Sequence, residues 1–430
     1  MKIIWVNHAS FIFEHSNIRL ICDPWLSGTA FNEGWHLLAE TKFKFKDFSQ
    51  ITHIWISHEH PDHFSPATFK KIPKNLIENI TVLYQYTEDK KVLNFIKKLG
   101  FKTIEIIPKI PLKIANDFYL ISDKFGAEDS WLKIVTKDYS LLNMNDCPIR
   151  KKDDLNNLKR NIGNVDLLLT QFSYANWCGN KSQKTLRKKE ASVYLNQMLN
   201  QIEFLKPSTV IPFASYIYFC HEENFYHNDC INKISLVYKT IKNKTNADCN
   251  VLYPGDTWEI GELYNSAKSI KNYDKDYDSL TKRILKKSKK IPINVLINSA
   301  NKYKNDLKKR NWIFPLKILK LFGYLRATKI YLTDHKQTLL FSFSSGISFD
   351  NFPISDSDIQ LSSESLLYCL NYLWGVGTLA INARFVTSNN GSLRYFYRNF
   401  ALSAENNAGR YFPKGYIAKL INKILNKLKY

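Results

Sequence analysis

The sequence predicts an α/β protein, a layered sandwich with its functional residues gathered along one rim. Three observations carry this expectation. Short apolar runs of strand character end repeatedly in polar residues, and helical stretches separate several of them. One such run, residues 51–56, opens directly into a cluster of imidazoles and a carboxylate within ITHIWISHEHPDHF, residues 51–64. Layered α/β sheets hold their sites at strand ends in this way.

Residues 51–56 combine β-branched and aromatic side chains, which suit a covered pleated surface. Pro61 has no N–H to give a ladder and forces the chain into a loop. His58, His60, Asp62 and His63 therefore emerge within six residues. His58 and His60 point the same way by the period of two, and the turn swings Asp62 and His63 round. Two pairs of donors then aim at two neighbouring points. Imidazole with carboxylate suits zinc, iron or manganese, so one or two divalent ions are the expected cofactor, zinc first. Six of the chain's ten histidines lie outside this segment, so its density is not an effect of composition.

Length and composition set bounds. At 430 residues, 44% hydrophobic and 14% aromatic, the chain is expected to fold into two units, 1–260 and 261–430. It has no run of the roughly 20 apolar residues that span a bilayer, and Asn7, His8 and Glu14 interrupt any signal-like segment, so a cytoplasmic location is expected. Seven scattered cysteines without a C-x-x-C pair read as reduced thiols. The 61 basic residues against 39 acidic fit an anionic small-molecule substrate or a membrane surface. The lysines are dispersed and carry no recognisable nucleic-acid module, so nucleic acid is not an expected partner.

In chain order, residues 3–6, 11–13 and 18–22 read as closely spaced antiparallel strands. His8 lies between the first two, and Asp23-Pro24 ends the third. Both are assigned to orienting the metal ligands rather than binding metal themselves, with Asp23 expected either to cap a turn or to hydrogen-bond a ligating His. Ser65-Pro66 opens a helix. Strands at 80–84 and 102–107 flank an amphipathic helix over 88–99. Further strands follow at 118–122, 131–136, 141–143, 165–170 and 209–212, with a long helix over 185–205. Residues 267–310 are lysine-rich with helical spacing, 329–349 form a hairpin, and 362–374 form an apolar helix that the glycines of 375–377 break. Residues 416–429 place Ile417, Leu420 and Ile424 opposite Lys419, Lys423 and Lys427.

The H-x-H-x-D-H spacing after an apolar strand resembles the signature of the metallo-β-lactamase fold, which implies an αββα sandwich, here with a C-terminal α+β extension. The segments NHASFIFEHSNIRLICDPWLSGTAFNEGW, ISHEHPDHFSPATFKKI, LLNMNDC, VIPFASYIYFCHEENFY and YPGDTWEIG are similar to the metallo-β-lactamase-like region of the CMP-N-acetylneuraminate hydroxylase family and its bacterial relatives. The fold supplies three further ligands from later strand ends. Asp146 corresponds to the bridging carboxylate and His221 to the last histidine. No histidine lies between His63 and His221; spacing back from Asp146 gives Phe125 where the middle one is expected, and Asp129 is the preferred substitute, with Asp123 the other choice.

The resemblance implies iron-dependent oxygenation of a nucleotide sugar or glycan precursor. That family's Rieske domain needs paired Cys and His ligands, which this sequence does not show, so an oxygenase would need a separate redox partner. The favoured expectation is a metallo-hydrolase acting on an anionic substrate. In it, His58, His60 and Asp129 hold one ion, Asp62, His63 and His221 hold another, and Asp146 bridges them, with Asp62 and Asp146 the catalytic carboxylates. A third reading is a membrane-surface phospholipid hydrolase, like the N-acyl-phosphatidylethanolamine phospholipase D group of the same fold, with peripheral contact through residues 413–430.

Overall fold

The fold is described from a computed structural model, which covers residues 1–126, 128–312, 314 and 325–415. Its first sheet begins as a meander of β1 (Lys2–Asn7), β2 (Ser10–His15) and β3 (Ile18–Cys22). The short strands β4 (Thr29–Ala30) and β5 (Trp35–Leu37) leave this sheet. β6 (His53–Ile56) then returns parallel to β3. Helices α1 (Pro66–Lys71) and α2 (Lys74–Ile77) precede the parallel β7 (Thr81–Gln85), and α3 (Lys91–Lys98) leads to β8 (Lys102–Ile106). The Ser65 side chain accepts from the Thr68 amide and caps α1, as Ser-Pro predicted. α3 starts at Lys91, later than the expected 88.

The second sheet runs antiparallel through β9 (Leu112–Ala115), β10 (Phe118–Phe125), β11 (Asp129–Thr136) and β12 (Ser140–Asn143). After α4 (Lys152–Ile162) and α5 (Lys184–Leu205), β13 (Leu167–Gln171) and β14 (Thr209–Phe213) join in parallel. Every residue of these two strands is buried, the unbroken pattern of parallel strands covered on both faces. β15 (Ile217–Phe219) pairs with β5 instead. α6 (Ile234–Lys244) and β16 (Asp248–Cys249) complete the second sheet, and β17 (Thr257–Glu259) closes the first against β1.

Alternation along the strands builds the layers. On β6, Ile54 and Ile56 face the core shared with α1 and α3, while Trp55 faces the second sheet. On β3, Leu20 and Cys22 face the second sheet and Ile21 faces the helices. Helices thus cover the outer face of each sheet, which is the expected αββα sandwich.

The core between the sheets also takes Tyr273 and Tyr277 of α7 (Ala267–Ser279) and the following Leu280. The Trp5 indole donates to the Tyr273 hydroxyl at 3.1 Å. A second core starts at Leu296 on α8 (Ile293–Arg310), whose Leu296, Ala300, Tyr303 and Leu307 share one face. It packs on a four-stranded sheet of β18 (Thr328–Leu332), β19 (Gln337–Ser342), β20 (Gly346–Phe349) and β21 (Ile359–Leu361). We propose residues 281–292, rather than 261, as the boundary between the two units.

The C-terminal unit ends with α9 (Ser363–Asn371), α10 (Gly375–Asn382) and α11 (Leu393–Asn407). The expected break at 375–377 falls instead at 372–374, and Gly375 begins α10. A Cβ there would stand 2.6 Å from the Tyr368 carbonyl, so glycine permits the close turn. The amphipathic tail, 416–430, lies outside the described residues. Among those described, no helix is long and apolar enough to cross a membrane. All seven cysteines are free thiols.

The two units meet closely at one glycine. A Cβ on Gly34 would lie 2.4 Å from Asn382 Cβ on α10. Gly34→Ala is expected to destabilise the protein by about 1–3 kcal/mol through overpacking. Chemical denaturation checks this, and an unchanged midpoint would show that the two units do not bear on each other at this point.

Candidate metal centre

Four backbone devices bring the donors together. The β1–β2 register shifts between Trp5 and Asn7, and this bulge re-aims His8 inward. At the end of β3, Asp23 takes φ +40, a conformation Asp tolerates better than most residues. After β6, the amides of His63 and Phe64 both donate to the His60 carbonyl and close the turn. After β12, Asn145 at φ +55 turns the chain so that Asp146 enters the site.

Two groups of donors result. The ligand atoms of His58, His60, Asp129 and Asp146 lie within 4.8 Å of one another, as do those of His8, Asp62 and His63. Asp146 Oδ2 stands 3.5 Å from His63 Nε2 and 3.9 Å from His58 Nε2, between the two groups. Asp129 Oδ1 stands 3.7 Å from His58 Nε2. Asp129 pairs across the β10–β11 hairpin with Phe125, so a carboxylate enters from the strand opposite the apolar residue. The Gln85 amide donates to the carbonyls of Ser57 and Glu128, and the Ser130 hydroxyl donates to Ser57, which pins that hairpin tip to the histidine loop.

The hydrogen bonds behind the ligands fix the ring tautomers. Asp23, fully buried, accepts from the Ser57 amide, the Ser57 hydroxyl and the Asn145 side chain, each at 2.7 Å, and from His63 Nδ1 at 3.0 Å. The Ser57 hydrogen is thereby committed to Asp23, so His58 Nδ1–H donates to Ser57 Oγ at 2.9 Å. Both rings then present Nε2 to the centre. His8 differs. The Tyr216 amide donates to its Nδ1 at 3.1 Å, so the neutral ring carries its hydrogen on Nε2 and gives it to Asp62 Oδ2 at 3.3 Å. His8 thus orients Asp62.

Among the described residues, the buried ligand atoms Asp62 Oδ1, His63 Nε2 and Asp146 Oδ1 have no hydrogen-bond partner, although His63 Nε2 faces Asp62 Oδ2 at 3.2 Å. His58 Nε2 and His60 Nδ1 face each other at 2.8 Å, and two lone pairs at that distance need a proton or a cation between them. Converging nitrogens and oxygens with unmet valences fit divalent ions.

Protonation follows the same geometry. Burial keeps His58 well below the usual imidazole range. Burial opposes a charge on His60, but its bond to Glu128 and the carboxylates Asp62, Asp146 and Asp129 outweigh it and raise it to about 9. Burial likewise opposes a charge on His63, but Asp62 and Asp146 raise it well above the ordinary value. Burial and the neighbouring Asp146 raise Asp129 to about 7. In the metal-free protein near pH 7, His60 and His63 therefore hold protons on the nitrogens that face the centre, and Asp129 gives up its proton less readily than an ordinary carboxyl. Metal uptake is expected to release about two or more protons per chain, and affinity should fall as pH falls below these raised values. Calorimetric titration in buffers of different ionisation enthalpy measures this; uptake without proton release would contradict these ligands.

His221 does not join the site as expected. β15 pairs with β5 and carries the chain away, so His221 ends against Glu223, whose amide donates to its Nδ1. Burial and nearby Arg384 lower its basicity to about 3. At the end of β14 stand Ala214 and Tyr216, whose amides donate to the His8 carbonyl and to His8 Nδ1. Of the residues that support the centre, Ser57, Gln85, Ser130 and Asn145 were missed. Their one sequence signal is position at or beside strand ends, since their partners are distant in the chain.

Beside His60 and Glu128 opens a cleft of about 610 Å³ between the two units. Its charged lining is Glu59, His60, Lys91 and Glu128, and Lys91 is already paired with Asp89 at 2.9 Å. Among the described residues of the lining, Lys91 is the one lysine or arginine, so the chain's basic excess is not concentrated in this cleft.

Residues 2–124 match the β-lactamase superfamily domain. The cytidine monophosphate-N-acetylneuraminic acid hydroxylase of Danio rerio is 25% identical over 252 residues, 55% of this chain and 41% of that protein. A Mycolicibacterium smegmatis protein whose description names a Rieske 2Fe-2S iron-sulfur protein is 24% identical over 201 residues, 44% of this chain and 38% of its own length. The chain thus spans less than half the length of these curated relatives. A solved structure described as a possible metal-dependent hydrolase from Veillonella parvula is 15% identical with a TM-score of 0.46, covering 60% of this chain and 98% of that one.

Proposed function

Starting from a chain that has the metallo-β-lactamase fold and resembles the corresponding region of CMP-N-acetylneuraminate hydroxylase, we propose that it is a dinuclear metal-dependent hydrolase acting on an ester or phosphoester of an anionic small molecule. The observation that carries this reading is the pair of donor groups meeting at Asp146. His58, His60, Asp129 and Asp146 would hold one divalent ion, and Asp62, His63 and Asp146 the other. Such a pair supplies a water of lowered pKa and Lewis-acid polarisation of the scissile group.

The chain's own residues do the rest. Asp62, oriented by His8 through Oδ2, keeps Oδ1 without a hydrogen-bond partner among the described residues, which leaves that oxygen free to serve as the ligand. Glu128 faces His60 Nε2 at 3.3 Å and fixes its ring. Asp23 and Ser57 hold His63 and His58 from behind. Since the cleft offers few free cations, a substrate's negative group finds its countercharge at the ions.

One observation favours a second reading. Three carboxylates, Asp62, Asp129 and Asp146, share the centre with three histidines, and oxygen-rich sets suit iron or manganese better than zinc. With relatives named as a hydroxylase and a Rieske protein, this fits an oxygenase component served by a separate Rieske partner. The test is the same protein loaded in turn with zinc, manganese and ferrous iron, then given bis(4-nitrophenyl) phosphate and CMP-N-acetylneuraminate. Product mass decides. A cleaved product with one added water supports hydrolysis; one added oxygen atom, only with a Rieske protein and reductant, supports oxygenation. No turnover under any condition overturns both.

A further inference from the structure

We propose that the C-terminal unit forms the specificity wall of the cleft, and that this wall selects substrates bearing an apolar alkyl or acyl substituent. The inference rests on the metal-dependent reading above and adds a substrate class to it.

The cleft lining is mixed. Its charged groups are Glu59, His60, Lys91 and Glu128, and much of the rest is carbon, from Phe31, Phe64 and Phe95 of the first unit and Leu373, Trp374 and Ile381 of the second, with the Phe31 ring 5.8 Å from that of His60. A sugar or nucleobase would have to bring its hydroxyls or ring donors to Asn32, Thr378 or Asn407 of the same lining, because those turned onto the carbon surfaces stay unpaired, which costs free energy. An alkyl group meets them without loss and gains with every methylene covered.

Trp374 gives independent support. It is 50% exposed, yet its Nε1–H already donates to the Tyr368 hydroxyl at 3.3 Å. Its polar atom is used within the protein, and the ring it offers to the cleft is apolar. Large exposed aromatic surface in a concavity marks a place that a ligand covers.

The wall is held rigid. Arg384, fully buried just after α10, donates to Glu223, Glu364, Ser288 and the Asn32 carbonyl. The Asn224 side chain donates to the carbonyls of both Gly34 and Asn382. Across the cleft, Lys91 donates to the Asn407 carbonyl at 2.9 Å. These bonds join the loop that carries Phe31 to α10, which carries Ile381 and follows directly on Trp374, so the apolar gap has a set width.

Binding of alkylphosphonates to the metal-loaded full chain, followed by calorimetry, tests the wall. From methyl- through butyl- to octylphosphonate, affinity should rise about three- to fourfold per methylene. Trp374→Ala should weaken octylphosphonate roughly tenfold and flatten the series, while Trp374→Phe should keep most of the slope. A flat series in the wild type, or tighter binding of phenylphosphonate or CMP than of octylphosphonate, overturns the apolar wall. A flat series together with turnover of bis(4-nitrophenyl) phosphate leaves the hydrolase reading standing and this inference fallen. A steep series without turnover does the reverse.

Discussion

Asp146→Ala is expected to strip metal from both halves of the centre and to lower turnover by roughly a thousandfold, about 4 kcal/mol of transition-state stabilisation. The reason is its position. Its Oδ2 lies within 4 Å of both His58 Nε2 and His63 Nε2, and its Oδ1 has no hydrogen-bond partner among the described residues. Loss of a ligand at one end would leave the other half intact; loss of this one removes a donor from each. Elemental analysis and rate measurement on the same preparation check it. Full metal content in the variant would show that Asp146 does not bridge.

Asp23→Ala is expected to act without touching either ion. The carboxylate is fully buried and accepts four hydrogen bonds, from Ser57 twice, Asn145 and His63. Its removal leaves several buried donors unmatched, at a cost of about 3–5 kcal/mol of stability. It also releases the tautomers of His58 and His63, and lost support of that kind lowers metal affinity by about 10–100-fold. Denaturation with and without metal separates the two effects. A variant as stable as the wild type, with unchanged affinity in competitive titration, would show that this buried network does not govern the ligands.

Much of this arrangement was legible along the chain. The period of two put Ile54 and Ile56 on one face and Trp55 on the other, and the polar ends of β3, β6 and β12 delivered Asp23, His58 and Asp146 to the rim. Asp129 was also within reach, because a missing histidine leaves a gap that a nearby carboxylate can fill; its hairpin pairing with Phe125 needed the structure.

His221 shows where strand-end reasoning runs out. Counting onward from β14 assumed that the loop returns to the rim. Instead β15 found a partner in β5, and the histidine was drawn toward Arg384. Ser57, Gln85 and Asn145 escaped for another reason. Their roles consist of hydrogen bonds to residues 28 to 122 positions away, and polarity near a strand end does not reveal the partner. The α7 helix, lysine-rich and so read with the second unit, gives its buried Tyr273 and Tyr277 to the first. Surface charge there concealed the buried face.

The most direct test of the dinuclear centre is metal content per chain, by elemental analysis after supplementation, in the wild type and in Asp129→Ala. The donor geometry predicts about two ions in the wild type and about one in the variant, since Asp129 completes only the group that contains His58 and His60. Equal content in the two proteins, or none in either, would contradict it.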